Sequence, residues 1–267
     1  MTALTSSRFL QLTPPRSDVP LFVFLPGMDG TGKLYRNQLG LQADFDVRCL
    51  SIPPDDVSSW EGLALQTARL IKQEKEANPG RPVYLCGESF GGCLALKLAR
   101  YVPDSFDYLI LVNPASSFSR QFWMRYGSDL ARLIPPPLFN LSGYGLVPWL
   151  ISIDRVSPEN RQALYDAMHS VTQASAAWRL SLVTDFDLDA LPLHRLRQRT
   201  LVIAAARDRL LPSVDEANRL IDRLPNAHKV VLPHSGHACL LETDICLAQI
   251  LKAENFFAPE AEAKLLR

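Results

Sequence analysis

The chain has 267 residues, 47% of them hydrophobic, which allows a sizeable core and excludes a disordered chain. Its 28 Lys plus Arg balance 28 Asp plus Glu. That balance leaves no electrostatic footprint for nucleic acid and no polybasic anchor for anionic lipid, so no nucleic-acid partner is expected.

The N-terminus, MTALTSSRFLQLTPPRSD, lacks the long apolar stretch of a secretory signal. No run reaches the ~18 apolar residues that a spanning helix needs, so the chain is expected in the cytoplasm. Leu21–Leu25 is an uninterrupted apolar run ended by Pro26-Gly27. Such runs mark strands buried on both faces of a parallel sheet. A short helix is predicted within Lys33–Asp44. The next strand is Val47–Ile52, closed by Pro53-Pro54. The stripe Ala64, Ala68, Leu70 and Ile71 predicts a helix from Trp60 to Ala77, stopped by Asn78-Pro79-Gly80. Then come a strand Pro82–Cys86, a helix from Ser89 to about Tyr101, and a strand Tyr108–Val112 ending at Asn113-Pro114.

The alternation breaks from Ala115 to Arg195, where no convincing strand appears. It resumes with a strand Thr200–Ala205, a helix around Val214–Leu224, a strand Lys229–Leu232 and a last helix from Ala238 to Leu251. The tail Ala258–Arg267 reads as a frayed helix. This order predicts an α/β fold, a mostly parallel doubly wound sheet. Residues 1–114 and 196–267 are expected to form its core, and 115–195 a helical cap inserted between sheet strands. Such a cap would lie over the strand ends, where open α/β sheets bind ligands. The five cysteines form no C-x-x-C pair, which argues against a disulfide scaffold or structural zinc and suits a reducing compartment.

The residues that carry chemistry start at Gly87-Glu88-Ser89-Phe90-Gly91, a G-x-S-x-G pattern between a predicted strand and helix. A serine hydroxyl is a weak nucleophile and must face both a base and the substrate. A sharp strand-to-helix turn presents it, and glycines two residues to either side remove the crowding. The chain has 5 histidines, and His234 and His237 follow the last predicted strand at its carboxyl end. His237, after Gly236, is the expected base, with His234 as fallback. Asp208, just past the strand Thr200–Ala205, is the expected third member, orienting the imidazole. Backbone N–H groups of Phe90 and Met28 are the expected oxyanion donors. A rival reading, a phosphate-binding loop over Gly27–Leu34, fails at Leu34, which has no hydroxyl for a metal. No metal and no cofactor are expected.

Strand-P-G-M-D-G, G-E-S-F-G-G, the D-x-x-x-P from Asp208 to Pro212 and the S-G-H from Ser235 to His237 resemble the α/β-hydrolase superfamily over nearly the whole chain. The runs LPGMDG, CLSIP, GESFGG and NPASSFS resemble more narrowly the hydrolase half of phytyl ester synthases and related esterase/lipase/thioesterase proteins of chloroplasts and cyanobacteria. That resemblance implies a photosynthetic source and lipid ester or thioester substrates. In those proteins an acyltransferase-like domain follows the hydrolase. This chain ends soon after His237, so hydrolysis is the expectation, with acyl transfer or a cofactor-free lyase reaction on the same triad as alternatives. A non-catalytic ligand receptor is a further one.

Ten of the aromatic residues fall between Ala115 and Ala190. Apolar ligand pockets are lined this way. Phe118, Phe122, Trp123, Trp149 and Trp178 are the candidate pocket residues, and an apolar acyl or isoprenoid ester is the expected substrate. Peripheral contact with a membrane through the cap is a further expectation.

Overall fold

The computed structural model describes residues 6–11, 13–120 and 145–257. Seven strands form one sheet among them: β1 Arg8–Gln11, β2 Leu21–Leu25, β3 Asp46–Ser51, β4 Val83–Glu88, β5 Tyr108–Val112, β6 Arg199–Ala205 and β7 Ala227–Leu232. Their order is β1-β3-β2-β4-β5-β6-β7, and every pair is parallel except β1 with β3.

The period of two in the strands divides the core into two layers. Leu21, Val23 and Leu25 face one cluster, while Phe22 and Phe24 face the other. The same alternation sends Leu85 and Leu109 to the first layer and Cys86 and Ile110 to the second. A strand whose odd and even residues are both buried needs apolar side chains throughout, which is why the central runs are continuous. The first layer is closed by α1 Trp60–Ala77, α2 Phe90–Tyr101 and later α5 Ser213–Ile221. The Ser59 side chain caps α1 by accepting from Gly62 N–H.

Between β5 and β6 the chain leaves the sheet. It forms a 3₁₀ segment Ala115–Arg120, a helical stretch over 145–150, α3 Pro158–His169 and α4 Gln173–Thr184. β5 and β6 pair directly across this insertion, Val112 opposite Ile203. Val147, Ile151, Val156 and Leu164 from the insertion share a cluster with Leu241, so it packs against the segment that follows β7.

The structure departs from the sequence reading in three places. β1 was not expected: its residues, exposed at both ends, pair antiparallel at the sheet edge. Lys33–Ala43 forms 3₁₀ turns with a kink at Gln38. The last helix is split into a 3₁₀ turn Cys239–Leu241 and α6 Leu247–Ala253. One residue accounts for the break in the last helix. The buried Gln38 amide donates to Leu240 O and Ile245 O and accepts from Leu247 N–H, so it uses groups a continuous helix would need for its own ladder. The expected tail 258–267 lies outside the described residues. No helix among the described residues is long and apolar enough to cross a membrane.

Candidate active site

Ser89 occupies the turn between β4 and α2 with φ 53° and ψ −113°. Positive φ is strained for a residue with a side chain and persists only where surroundings impose it. Here Ser89 N–H donates to Val112 O at 3.0 Å, and Ser89 O accepts from Gly92 and Ala115 N–H, each at 3.0 Å. Close approach explains the flanking glycines. A Cβ on Gly87 would lie 2.3 Å from Gly91 O, and one on Gly91 would lie 2.1 Å from Leu25 O.

The structure brings Ser89, His237 and Asp208 together from three strand ends. His237 Nε2 is 2.9 Å from Ser89 Oγ, and Nδ1 is 2.7 Å from Asp208 Oδ2. Asp208 Oδ1 accepts from the N–H groups of Leu210 and Leu211, at 2.8 and 2.9 Å. The Ser213 hydroxyl donates to Oδ2. Burial raises the Asp208 pKa, but charge and hydrogen bonding from His237, with the other donors, outweigh it and hold the carboxyl below its ordinary value. Burial likewise lowers the His237 pKa, and Asp208 outweighs it, with Glu88 adding to the rise above 6.5. His234 is exposed.

The loop carrying His237 is tied on every side. Its own carbonyl accepts from Asn113 Nδ2 at 2.6 Å, and the Asn113 Oδ1 accepts from Ala205 N–H at 2.8 Å. One buried amide therefore links the ends of β5 and β6 to the histidine loop. Gly236 N–H donates to the buried Glu242 carboxylate at 2.8 Å, and Ala238 N–H donates to Leu150 O of the insertion at 2.8 Å. Glu242 also holds Arg155 at 2.7 Å. Asn113, Ser213 and Glu242 were not picked out from the sequence. An Asn after a strand or a Glu between helices looks like any turn residue until the chain ends they join are known.

Met28 and Phe90 flank the serine. A Cβ on Gly27 would lie 3.9 Å from Ser89 Cβ, so the 27–30 turn runs beside Ser89. Gly30 N–H donates to Gly27 O at 3.0 Å, which turns the next N–H, that of Met28, the opposite way. Met28 N–H has no acceptor among the described residues. Phe90 opens α2, where first-turn N–H groups have no partner within the helix. Such a pair of donors can stabilise an anion formed at Ser89.

Glu88, the residue before the serine, is 7% exposed, and its Oε1 has no hydrogen-bond partner among the described residues. Burial pushes its pKa up to about 7, with His237 opposing the rise and Asp29 adding to it. Of the candidate pocket residues, Phe118 joins the buried cluster that holds Phe90 and Phe186. Trp178 donates its indole N–H to Ser58 O at 2.9 Å, and Trp149 is 49% exposed. Phe122 and Trp123 lie outside the described residues.

The alpha/beta hydrolase family matches residues 22–244. Phytyl ester synthase 1 of Arabidopsis thaliana is 33% identical over 261 residues, which cover 89% of this chain and 37% of that protein. This chain thus spans little more than a third of the length of that relative. A RutD protein of Shigella flexneri, named as a carbamate hydrolase, is 26% identical, covering 85% of this chain and 88% of its own length. Among solved structures, MenH from S. aureus superposes with a TM-score of 0.72 at 18% identity, covering 97% of this chain and all of that one. With the family matched over most of its length and its mostly parallel sheet in place, the chain belongs to the alpha/beta hydrolase family.

Proposed function

We propose that the protein is a serine hydrolase that cleaves carboxylic esters or thioesters of apolar acyl or isoprenoid lipids through an acyl-Ser89 intermediate. The observation that carries this reading is the 2.9 Å approach of His237 Nε2 to Ser89 Oγ, with Asp208 on the other ring nitrogen. His237 takes the serine proton as Oγ attacks the carbonyl carbon. Met28 and Phe90 N–H groups stabilise the resulting oxyanion. The intermediate collapses as His237 returns the proton to the departing alcohol or thiol. Water, deprotonated by His237, then attacks the acyl-serine; the bond from the acyl carbon to Oγ breaks, His237 returns that proton to Ser89 Oγ, and the acid is released.

The segment 115–195 is proposed to act as a cap over the site, its aromatic rings contributing to an acyl pocket and to peripheral contact with a lipid surface. Support for a lipid ester comes from the identity with a protein named for phytyl esters. The same relative is named a synthase, which favours acyl transfer to an alcohol as the second reading. A fluorophosphonate probe should label the wild type and not Ser89→Ala; labelling that survives the substitution refutes the mechanism. Products from a long-chain ester, with and without an acceptor alcohol, separate hydrolysis from transfer. A p-nitrophenyl ester series of rising acyl length tests the pocket: equal rates on short and long chains argue against it.

A further inference from the structure

Arg179, on α4 of the insertion, is 1% exposed and heads the fully buried side chains by volume. No carboxylate lies within ion-pair distance of it among the described residues. Its partners are backbone carbonyls. Nη1 donates to Met28 O at 2.8 Å and to Asp29 O at 3.1 Å, and Nη2 donates to Pro53 O at 2.8 Å. Burying a cation is costly, and here three carbonyls and the charges of Asp29 and Asp56 offset that cost.

The carbonyls it holds belong to the two central residues of the 27–30 turn. All four carbonyls of that turn are occupied: Gly27 O by Gly30 N–H, Met28 O and Asp29 O by Arg179, and Gly30 O by Ile52 N–H at 2.8 Å. A peptide's C=O and the following N–H point in opposite directions, so holding Asp29 O orients the Gly30 N–H, which donates to Gly27 O and thereby sets the peptide that carries the Met28 N–H. The contact is close. A Cβ on Gly30 would come within 2.6 Å of Nη1. α4 is itself anchored beside the site, with Thr172 N–H on Pro54 O at 3.1 Å and the Trp178 indole on Ser58 O.

We infer that Arg179 is a positioning residue for the oxyanion site: its guanidinium locks the 27–30 turn by holding its two central carbonyls. The position of the insertion then decides whether the Met28 donor is correctly aimed. A lysine, with one charged nitrogen, cannot reproduce the planar fork that spans three carbonyls. This inference rests on the serine-hydrolase reading above.

The test uses the full chain with Arg179→Met, Arg179→Lys and Gly30→Ala. Gly30 has φ 68°, so the last strains the turn directly while keeping the arginine and shows how far the turn's geometry governs turnover; Arg179→Lys serves if Arg179→Met does not fold. Turnover of a p-nitrophenyl ester is measured beside inhibition by a trifluoromethyl ketone of matching length, which forms an oxyanion on the serine. Arg179→Met and Gly30→Ala should lower kcat on the order of 100-fold with KM nearly unchanged. They should weaken the ketone by a similar factor, and Arg179→Lys should fall between them and the wild type. Arg179→Met and Gly30→Ala that fold with wild-type kcat and ketone affinity overturn the inference. So does a rise in KM at constant kcat, which would make Arg179 a ground-state substrate contact. If the fluorophosphonate fails to label wild-type Ser89, the hydrolase reading falls and takes this inference with it. Labelled wild type with unaffected variants sinks the inference alone.

Discussion

Glu88 gives the site a second ionisable group beside the imidazole. Its folded-state pKa of about 7 lies above the ordinary 4.5, so between those values the folded protein binds the proton more tightly than the unfolded chain. Wild-type stability should therefore fall as pH rises from about 4.5 to about 7, by on the order of 3 kcal/mol from this group. Glu88→Gln should remove that decline, gaining more at pH 8 than at pH 5 in urea unfolding; equal effects at both pH values would contradict it. The same carboxylate helps raise the His237 pKa. Its removal should move the acid limb of the kcat/KM profile to lower pH, since a less favoured imidazolium loses its proton earlier.

At the scale of elements, the residues flanking His237 are held by parts of the insertion as well as by the sheet. Glu242 is fully buried and serves both Gly236 N–H and Arg155, whereas Asp244, on the same arginine, is 56% exposed. Glu242→Ala should cost about 3–5 kcal/mol, because it strands a buried donor and a partly buried cation. Asp244→Ala should cost less than about 1 kcal/mol. Urea unfolding compares the two, and similar losses would deny Glu242 its bracing role. These elements also show what the sequence could reveal. Continuous apolar runs such as Leu21–Leu25 and Tyr108–Val112 announce central parallel strands because both faces are covered. Ser89, Asp208 and His237 stood out because each follows a strand end in a recognisable order. β1 did not, since four half-exposed edge residues leave no period to read. Arg179 and Asn113 act on carbonyls or N–H groups far along the chain, and no local pattern encodes such pairings.

For the whole molecule, two buried layers enclose four of the five cysteines. Cys49, Cys86, Cys93 and Cys239 are buried and Cys246 is partly exposed, all as free thiols. Burial pushes the Cys49 thiol up to about 12 and the other three buried thiols well above the ordinary range. A thiol held protonated and out of solvent is a poor nucleophile. A disulfide reagent should modify Cys246 alone in the native protein and all five cysteines after unfolding. Rapid native labelling of Cys239, which lies near the Asn113 amide, would mean that the histidine loop opens readily.

The contact between Ser89 and His237 closes a separation of 148 residues. β5 and β6 must likewise find each other across the whole insertion. Non-local pairings of this kind raise the contact order, which slows folding. Ser89 and its first flanking strands lie early in the chain, whereas Asp208 and His237 follow β6 and β7, so in a growing polypeptide the three side chains can meet only after the last strand has been made.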